Sequence, residues 1–163
     1  MNTEIPEDLA AQIAQAAATA SGEPESALVA AGAGHRCDVL IVDDTGTSRD
    51  LLAAILRNFA GQLRLREARN GADALQIWHE SNPRVTLLDI DMPDMDGLAV
   101  LKNMRQARPT TFVVMISGTN SIDHVRDALA LGASGFIVKP YRPKRILDLL
   151  EKYGEQSGHA LTG

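Results

Sequence analysis

The chain has 163 residues, of which 45% are apolar and 23% charged, a composition typical of one compact globular domain with an appendage. Its single cysteine, Cys37, excludes an internal disulfide framework, and no stretch approaches the roughly 20 apolar residues that span a membrane. The acidic excess lies in residues 1–35, which hold five acids and no Lys or Arg, whereas residues 36–163 hold 16 acids and 16 bases. This neutral main part has few aromatic residues and gives no sign of nucleic-acid binding. The acidic N-terminus lacks the basic region of a signal peptide, which favours the cytoplasm.

Residues 1–35 are predicted to form an acidic, Ala-rich helical extension. Ile5, Leu9 and Ile13 recur at a spacing of four and give a narrow apolar stripe. Because such a stripe buries little area, two interpretations stay open: an untethered leader, or a helix that docks on the main domain, a second copy or a partner. The main domain is predicted at residues 36–154 and a short tail at 155–163.

From residue 37 onward, strand-like and helix-like segments alternate. Five apolar runs are predicted as strands, at residues 37–42, 63–68, 85–89, 112–116 and 135–138. Five repeats of strand and helix with short loops predict one parallel sheet covered by helices on both faces. The second strand is weaker and more charged, as expected at a sheet edge. Cys37, just before the first strand, is expected to be a small packing residue.

The helices between these strands are predicted from their starts and their apolar faces. Thr47 or Ser48 is expected to cap the first helix, and Asn70 to open the second. The third helix is expected after Gly97, and the others at Ser121 and Pro143. The first helix is predicted to turn five side chains inward: Leu51, Leu52, Ile55, Leu56 and Phe59.

Reactive side chains follow four of the five predicted strands. Asp43 and Asp44 follow the first, Asp89 ends the third, Ser117 ends the fourth and Lys139 follows the fifth. The carboxyl ends of parallel strands meet at one edge of a sheet, so these groups are expected to lie together. Clustered carboxylates suit Mg²⁺, and phosphoryl transfer needs a nucleophile, a metal and further cationic or hydroxyl donors.

Three interpretations of Asp89 compete. In the first, Asp89 accepts a phosphoryl group. In the second, it is the nucleophile of a haloacid-dehalogenase-type phosphatase, with Asp91 as general acid. In the third, it is a polar loop residue without a chemical role. The phosphatases place their D-x-D motif after the first strand, whereas Asp89 follows an acidic pair and a whole βαβα unit. This order disfavours the phosphatase.

Residues 37–153 resemble a response-regulator receiver domain of two-component signalling. The resemblance lies in four motifs: Val42-Asp43-Asp44, then Asp89-Ile90-Asp91-Met92-Pro93 with Met95-Asp96-Gly97, then Met115-Ile116-Ser117-Gly118, then Lys139-Pro140. It implies a flavodoxin-like (βα)5 fold, a doubly wound parallel sheet of five strands, with phosphorylation on Asp89.

The resemblance also implies roles for the other motif residues. Mg²⁺ would be bound by Asp44, Asp89 and the backbone carbonyl of Asp91, with Asp43 holding a water. Ser117 and Lys139 would bind the phosphoryl group, and Gly118 would leave room for it.

Further positions are implied to regulate the domain. Phe136 matches an aromatic switch position, and its ring is expected to be partly exposed until Ser117 is drawn toward the phosphoryl group. Asp91 and Thr119 differ among receivers and are implied to tune the phosphoryl lifetime. The Lys139–Pro140 bond is expected to be cis.

The predicted function is that of a stand-alone receiver with an N-terminal extension, a monomer or weak dimer and not an enzyme beyond self-catalysed phosphorylation and dephosphorylation. It would take a phosphoryl group from a histidine kinase or phosphotransfer protein. It would then act on a protein partner through residues 121–131 and 136–153. The alternative is a phosphate shuttle or sink. Three bases in the second range, Arg142, Lys144 and Arg145, are expected to attract an acidic partner or the leader.

Overall fold

The computed structural model describes residues 35–59, 62–118, 121–159 and 161. Strands and helices alternate through this part of the chain: β1 Val39–Val42, α1 Gly46–Phe59, β2 Leu65–Ala68, α2 Gly71–Ser81, β3 Val85–Asp89, α3 Gly97–Ala107, β4 Phe112–Ser117, α4 Ile122–Ala130, β5 Gly135–Val138 and α5 Pro143–Ser157. The predicted helical extension, apart from its last residue, and Thr119 lie outside the described residues.

The five strands form one parallel sheet in the order β2-β1-β3-β4-β5. This confirms the predicted flavodoxin-like (βα)5 fold, with the charged strand β2 at an edge. The strand order reverses between β1 and β3, so a crevice opens beyond their carboxyl ends. Asp43 and Asp89 stand at this switch point.

Two apolar layers cover the sheet, one on each face. Alternate side chains of a strand point to opposite faces, so Leu40 and Val42 enter one layer while Val39 and Ile41 enter the other. Helices α2, α3 and α4 close the first layer around Trp78, and helices α1 and α5 close the second. Strand β1 is buried on both faces, as a central strand of a parallel sheet must be.

Helix α1 departs from its prediction in two ways. It begins at Gly46, so Thr47 and Ser48 lie inside its first turn rather than at its cap. Leu51 was predicted to be buried but is 48% exposed, because it lies outside the stripe that packs on the sheet. The buried stripe consists of Leu52, Ala53, Ile55 and Leu56. The side chain of Phe59 lies outside the described part.

The other helix ends largely follow the sequence. Asn70 caps α2 by accepting a hydrogen bond from the Asp73 N–H at 2.8 Å. Ser121 occupies the cap position of α4, although its side chain makes no capping hydrogen bond. Helix α5 continues to Ser157, beyond the predicted domain boundary at residue 154. Beyond it Leu161 is buried in the layer formed with α1 and α5.

Cys37 is fully buried, and burial raises the pKa of its thiol to about 11. The thiol is therefore a packing group, as predicted. Within residues 35–59, 62–118, 121–159 and 161, none of the helices combines the length and apolar character that a membrane crossing requires.

Candidate functional site at the carboxyl edge of the sheet

Asp89 is held at the end of β3 by a compact turn. The Ile90 N–H donates to the Ile116 carbonyl at 2.8 Å and extends the β3–β4 ladder by one residue. The Gly97 N–H then donates back to the Ile90 carbonyl at 3.1 Å. Asp96 caps α3 by accepting a hydrogen bond from the Leu98 N–H at 2.9 Å. The loop therefore leaves the sheet and returns to it beside Asp89, whose side chain is buried.

Asp43 and Asp44 follow β1 and differ in environment. Asp43 is buried, and its Oδ1 accepts a hydrogen bond from the Thr45 N–H at 2.8 Å. Arg49 donates to the Asp43 backbone carbonyl at 2.6 Å and fixes the start of α1. Asp44 is exposed and makes no hydrogen bond or ion pair within the described part of the chain. One carboxylate of the pair is thus held in place, and the other faces solvent.

The structure brings three of the predicted carboxylates together. One oxygen each from Asp43, Asp44 and Asp89 lies within 4.8 Å of the others. The Lys139 ammonium joins them, with its Nζ 3.1 Å from Asp43 Oδ2 and 3.4 Å from Asp89 Oδ2. The cluster therefore contains three carboxylates and one ammonium, which leaves an excess of negative charge.

The electrostatics of the cluster follow from burial and from these charges. Burial raises the pKa of Asp89 to about 6; the nearby Lys139 ammonium lowers it in part, and the Asp43 charge raises it further. Burial alone would lower the pKa of Lys139, but the hydrogen bond to Asp43 and the surrounding negative charges raise it overall. Lys139 therefore stays charged at neutral pH.

The carboxylates at this edge suit a hard divalent cation, which prefers oxygen ligands. Mg²⁺ prefers a few carboxylates together with waters and phosphate oxygens. Asp44 and Asp89 supply one exposed and one desolvated carboxylate, and the third, on Asp43, lies beside them. The Asp91 backbone is adjacent as well, because its N–H donates to Asp89 Oδ1 at 3.1 Å.

The Asp91 side chain does not belong to this group of three carboxylates. It is exposed, and its Oδ2 accepts a hydrogen bond from the Gly118 N–H at 3.3 Å. A Cβ added to Gly118 would lie 3.8 Å from the same Asp91 oxygen, an ordinary contact distance. Asp91 therefore bridges the loops that follow β3 and β4.

Ser117 ends β4 at the same edge of the sheet and is fully buried. Its backbone carbonyl accepts a hydrogen bond from the Lys139 N–H at 2.8 Å, which joins the ends of β4 and β5. The Lys139–Pro140 bond that follows is cis, as predicted.

Phe136 is buried, with 1% of its surface exposed, so the prediction of a partly exposed ring is wrong for this conformation. Its strand neighbour Met115 and the helix α4 residues Val125 and Ala128 belong to the same buried layer. Packing in this layer leaves the ring no contact with solvent.

Tyr141 is a site residue that the sequence analysis missed. Its hydroxyl donates to Asp43 Oδ2 at 3.3 Å, the same oxygen that Lys139 contacts. Burial raises the pKa of this phenol to about 12. Its position two residues after Lys139, on the loop that leaves β5, is the one signal that could have singled it out.

Comparison with known proteins places this site in a family. Residues 39–151 match the response regulator receiver domain. The chain is 36% identical to the chemotaxis protein CheY of Bacillus subtilis over 118 residues, which cover 72% of this chain and 96% of the relative. It is 38% identical to CheY of Listeria monocytogenes over 114 residues, or 70% of this chain and 95% of the relative.

Solved structures show the same relationship. A CheY-like receiver domain protein from Methanospirillum hungatei superposes with a TM-score of 0.69 at 28% identity, over 76% of this chain and 98% of that one. The receiver domain of NtrX from Brucella abortus gives 0.67 at 37% identity, over 72% and 98%. With the sheet order and the acidic cluster already described, these matches lead to one conclusion: the chain belongs to the response regulator receiver domain family of two-component systems.

Proposed function

We propose that this receiver accepts a phosphoryl group on Asp89 from a histidine kinase or a phosphotransfer protein and signals by contact with another protein. The observation that carries the proposal is the placement of Asp89. It is a buried carboxylate at the switch point of the sheet, 3.4 Å from the Lys139 ammonium and beside two further acids. Phosphoryl transfer needs little from a protein besides such positioning and charge.

Asp89 is the nucleophile in this proposal. One of its oxygens forms a bond to phosphorus while the P–N bond of a phosphohistidine breaks, and the imidazole nitrogen departs with the electron pair. The Asp91 N–H orients the Asp89 carboxylate through its hydrogen bond to Oδ1. Lys139, already within reach of Asp89 Oδ2, neutralises charge on the phosphoryl oxygens, and the Ser117 hydroxyl donates a hydrogen bond to one of them. Gly118 adds no side chain to the space in front of them.

Asp44, Asp89 and the Asp91 carbonyl would hold Mg²⁺, with Asp43 binding one of its waters. When bound, the ion supplies positive charge that offsets the repulsion between the carboxylates and the phosphoryl oxygens. The exposed Asp44 is suited to this because no other described residue competes for its carboxylate.

The output is proposed for the face formed by residues 121–131 and 136–153. Drawing Ser117 toward a phosphoryl group would move the loop between β4 and α4. Because the Phe136 ring is already buried, the change would lie in this loop and in α4 rather than in burial of an exposed ring. Ile122 is 56% exposed at the start of α4, and Arg142 and Lys144 are exposed where α5 begins. Such a face suits a partner with acidic and apolar side chains.

Treatment with acetyl phosphate and Mg²⁺ tests the acceptor role, with intact-mass measurement before and after. We expect the wild type to gain one phosphoryl group and Asp89→Asn to gain none while keeping its fold. Asp44→Asn, which keeps the nucleophile, is the matched control and should react slowly. Modification of Asp89→Asn, or no reaction of the wild type, would refute the proposal.

Hydrogen exchange with and without beryllofluoride tests the output. We expect altered exchange in residues 117–145, and unaltered exchange there would refute the switch.

Capture of a partner that depends on the phosphoryl mimic would support a regulator, whereas rapid transfer to a phosphotransfer protein without such capture would favour the shuttle. Hydrogen exchange in residues 4–20, measured with and without beryllofluoride, reports whether the leader is coupled to the switch.

A further inference from the structure

Both oxygens of the Asp43 carboxylate accept hydrogen bonds from residues in the loops at the carboxyl edge of the sheet. Oδ1 accepts from the Thr45 N–H at 2.8 Å. Oδ2 accepts from the Lys139 ammonium at 3.1 Å and from the Tyr141 hydroxyl at 3.3 Å. The carboxylate is itself buried, so losing any of these donors leaves it less well satisfied.

One of these three donors is shared. The Lys139 ammonium that contacts Asp43 also lies 3.4 Å from Asp89 Oδ2. When Asp89 carries a phosphoryl group, the new oxygens attract the same ammonium, and its contact with Asp43 weakens. The Thr45 and Tyr141 donors do not contact Asp89, so their bonds to Asp43 do not compete with the phosphoryl group.

We propose that Tyr141 is a positioning residue for phosphoryl transfer: its hydroxyl keeps the Asp43 carboxylate in place while Lys139 turns to the phosphoryl group. This inference rests on the proposed phosphorylation of Asp89. In this inference Tyr141, two residues after Lys139, has a role distinct from that of Lys139. Lys139 supplies charge to the phosphoryl oxygens, and Tyr141 remains hydrogen-bonded to the Asp43 oxygen that Lys139 leaves.

The hydroxyl can be separated from the ring by substitution. The Tyr141 ring is half-buried and packs against the layer formed with α1 and α5, which a phenylalanine ring would preserve. Tyr153 provides a matched control on α5, where its ring meets Phe112 edge to face at a centroid distance of 5.4 Å. Tyr153→Phe removes the same hydroxyl from the same buried layer without touching Asp43.

The first experiment measures the Tyr141–Asp43 hydrogen bond in the absence of a phosphoryl donor and of metal. Urea unfolding is recorded for Tyr141→Phe, Asp43→Ala and the double variant, each with EDTA present. We expect the effects on the unfolding midpoint to be non-additive, because both single variants remove the same hydrogen bond. Additive effects would show that Tyr141 does not act on Asp43 and would overturn the proposal.

The second experiment measures phosphorylation rate against acetyl phosphate concentration at saturating Mg²⁺. We expect Tyr141→Phe to lower the maximal rate by about fivefold, the effect of one hydrogen bond of typical net strength, with an unchanged half-saturating donor concentration. Tyr153→Phe should match the wild type. In the Asp43→Ala background, which has no acceptor for the hydroxyl, Tyr141→Phe should have no further effect on the rate.

The outcomes separate this inference from the proposed function. A wild type that is never phosphorylated refutes the acceptor role itself. A phosphorylated wild type with an equal maximal rate in Tyr141→Phe refutes only the role of Tyr141. An equal loss with and without the Asp43 carboxylate also overturns it, because Tyr141 would then act elsewhere.

Discussion

The α-carbon of Gly97 lies so close to the backbone of Asp89 that a Cβ added to Gly97 would overlap the Asp89 carbonyl oxygen. This contact explains why a glycine stands eight residues after Asp89. Helix α3 begins next to the end of β3, and the Gly97 N–H closes the turn by donating a hydrogen bond to the Ile90 carbonyl. The position of Asp89 therefore depends on a residue without a side chain.

Gly97→Ala should displace the end of β3 and destabilise the fold by about 2 kcal/mol or more, since a rigid backbone atom must move to admit the methyl group. Gly118→Ala is the matched control, because its Cβ would meet Asp91 Oδ2 at 3.8 Å without overlap. Urea unfolding of both variants measures the effect on stability. Equal stability of the two variants would contradict the account of this turn.

Mg²⁺ should raise the melting temperature of the protein. Asp43, Asp44 and Asp89 carry an excess of negative charge at one point, and a cation that binds only the folded state stabilises it. Thermal melts at low ionic strength, with EDTA and with millimolar Mg²⁺, measure this. Asp44→Asn should lose most of the response, whereas an unchanged wild-type melt would rule out the site.

The contribution of Asp89 to stability without metal should fall as pH rises from about 4 to about 6. The pKa of Asp89 is raised by burial from 3.8 to about 6, so the folded state holds a proton there that the unfolded chain has lost. At pH 7 the charged, buried carboxylate lowers stability by up to roughly 3 kcal/mol. Asp89→Asn with EDTA should therefore be more stable than wild type at pH 7 but not at pH 4. A constant difference across this range would contradict the prediction.

Asp38 should stabilise the opposite edge of the sheet. It is 8% exposed at the start of β1, and it bonds Arg64 before β2 at 3.0 Å and Arg84 before β3 at 3.3 Å. Although burial raises the pKa of Asp38, the bonds and charge of Arg64, with the Arg84 charge, lower it overall.

The stabilisation from Asp38 is therefore present above the ordinary pKa of an aspartate and is lost as pH falls through the lowered pKa. Asp38→Asn should cost about 2 kcal/mol at neutral pH, because two arginines lose their carboxylate. Asp148→Asn, on the exposed side of α5, is the control and should change the urea midpoint little. The prediction fails if both variants unfold at the same urea concentration.

The sheet and most of the site could be predicted because the signals are local. Apolar runs that end in Asp43, Asp89, Ser117 and Lys139 place each group at a strand end, and parallel strands bring those ends to one edge. The weak, charged pattern of β2 likewise predicted its position at an edge of the sheet.

The misses depend on tertiary contacts. The exposure of Leu51 depends on the exact angle at which α1 meets the sheet, and the burial of Phe136 depends on how closely α4 packs. Tyr141 was missed because a tyrosine after a Lys-Pro pair carries no sign of what its hydroxyl contacts. Only the folded chain brings it within 3.3 Å of Asp43, 98 residues away.

The most direct test of the central claim is chemical localisation of the phosphoryl group. After reaction with acetyl phosphate and Mg²⁺, borohydride reduces an aspartyl phosphate to homoserine, which peptide mass spectrometry then locates. We predict homoserine at position 89 and at no other aspartate. Homoserine at position 44 or 91, or a phosphoryl group that borohydride leaves in place on another residue type, would contradict Asp89 as the acceptor.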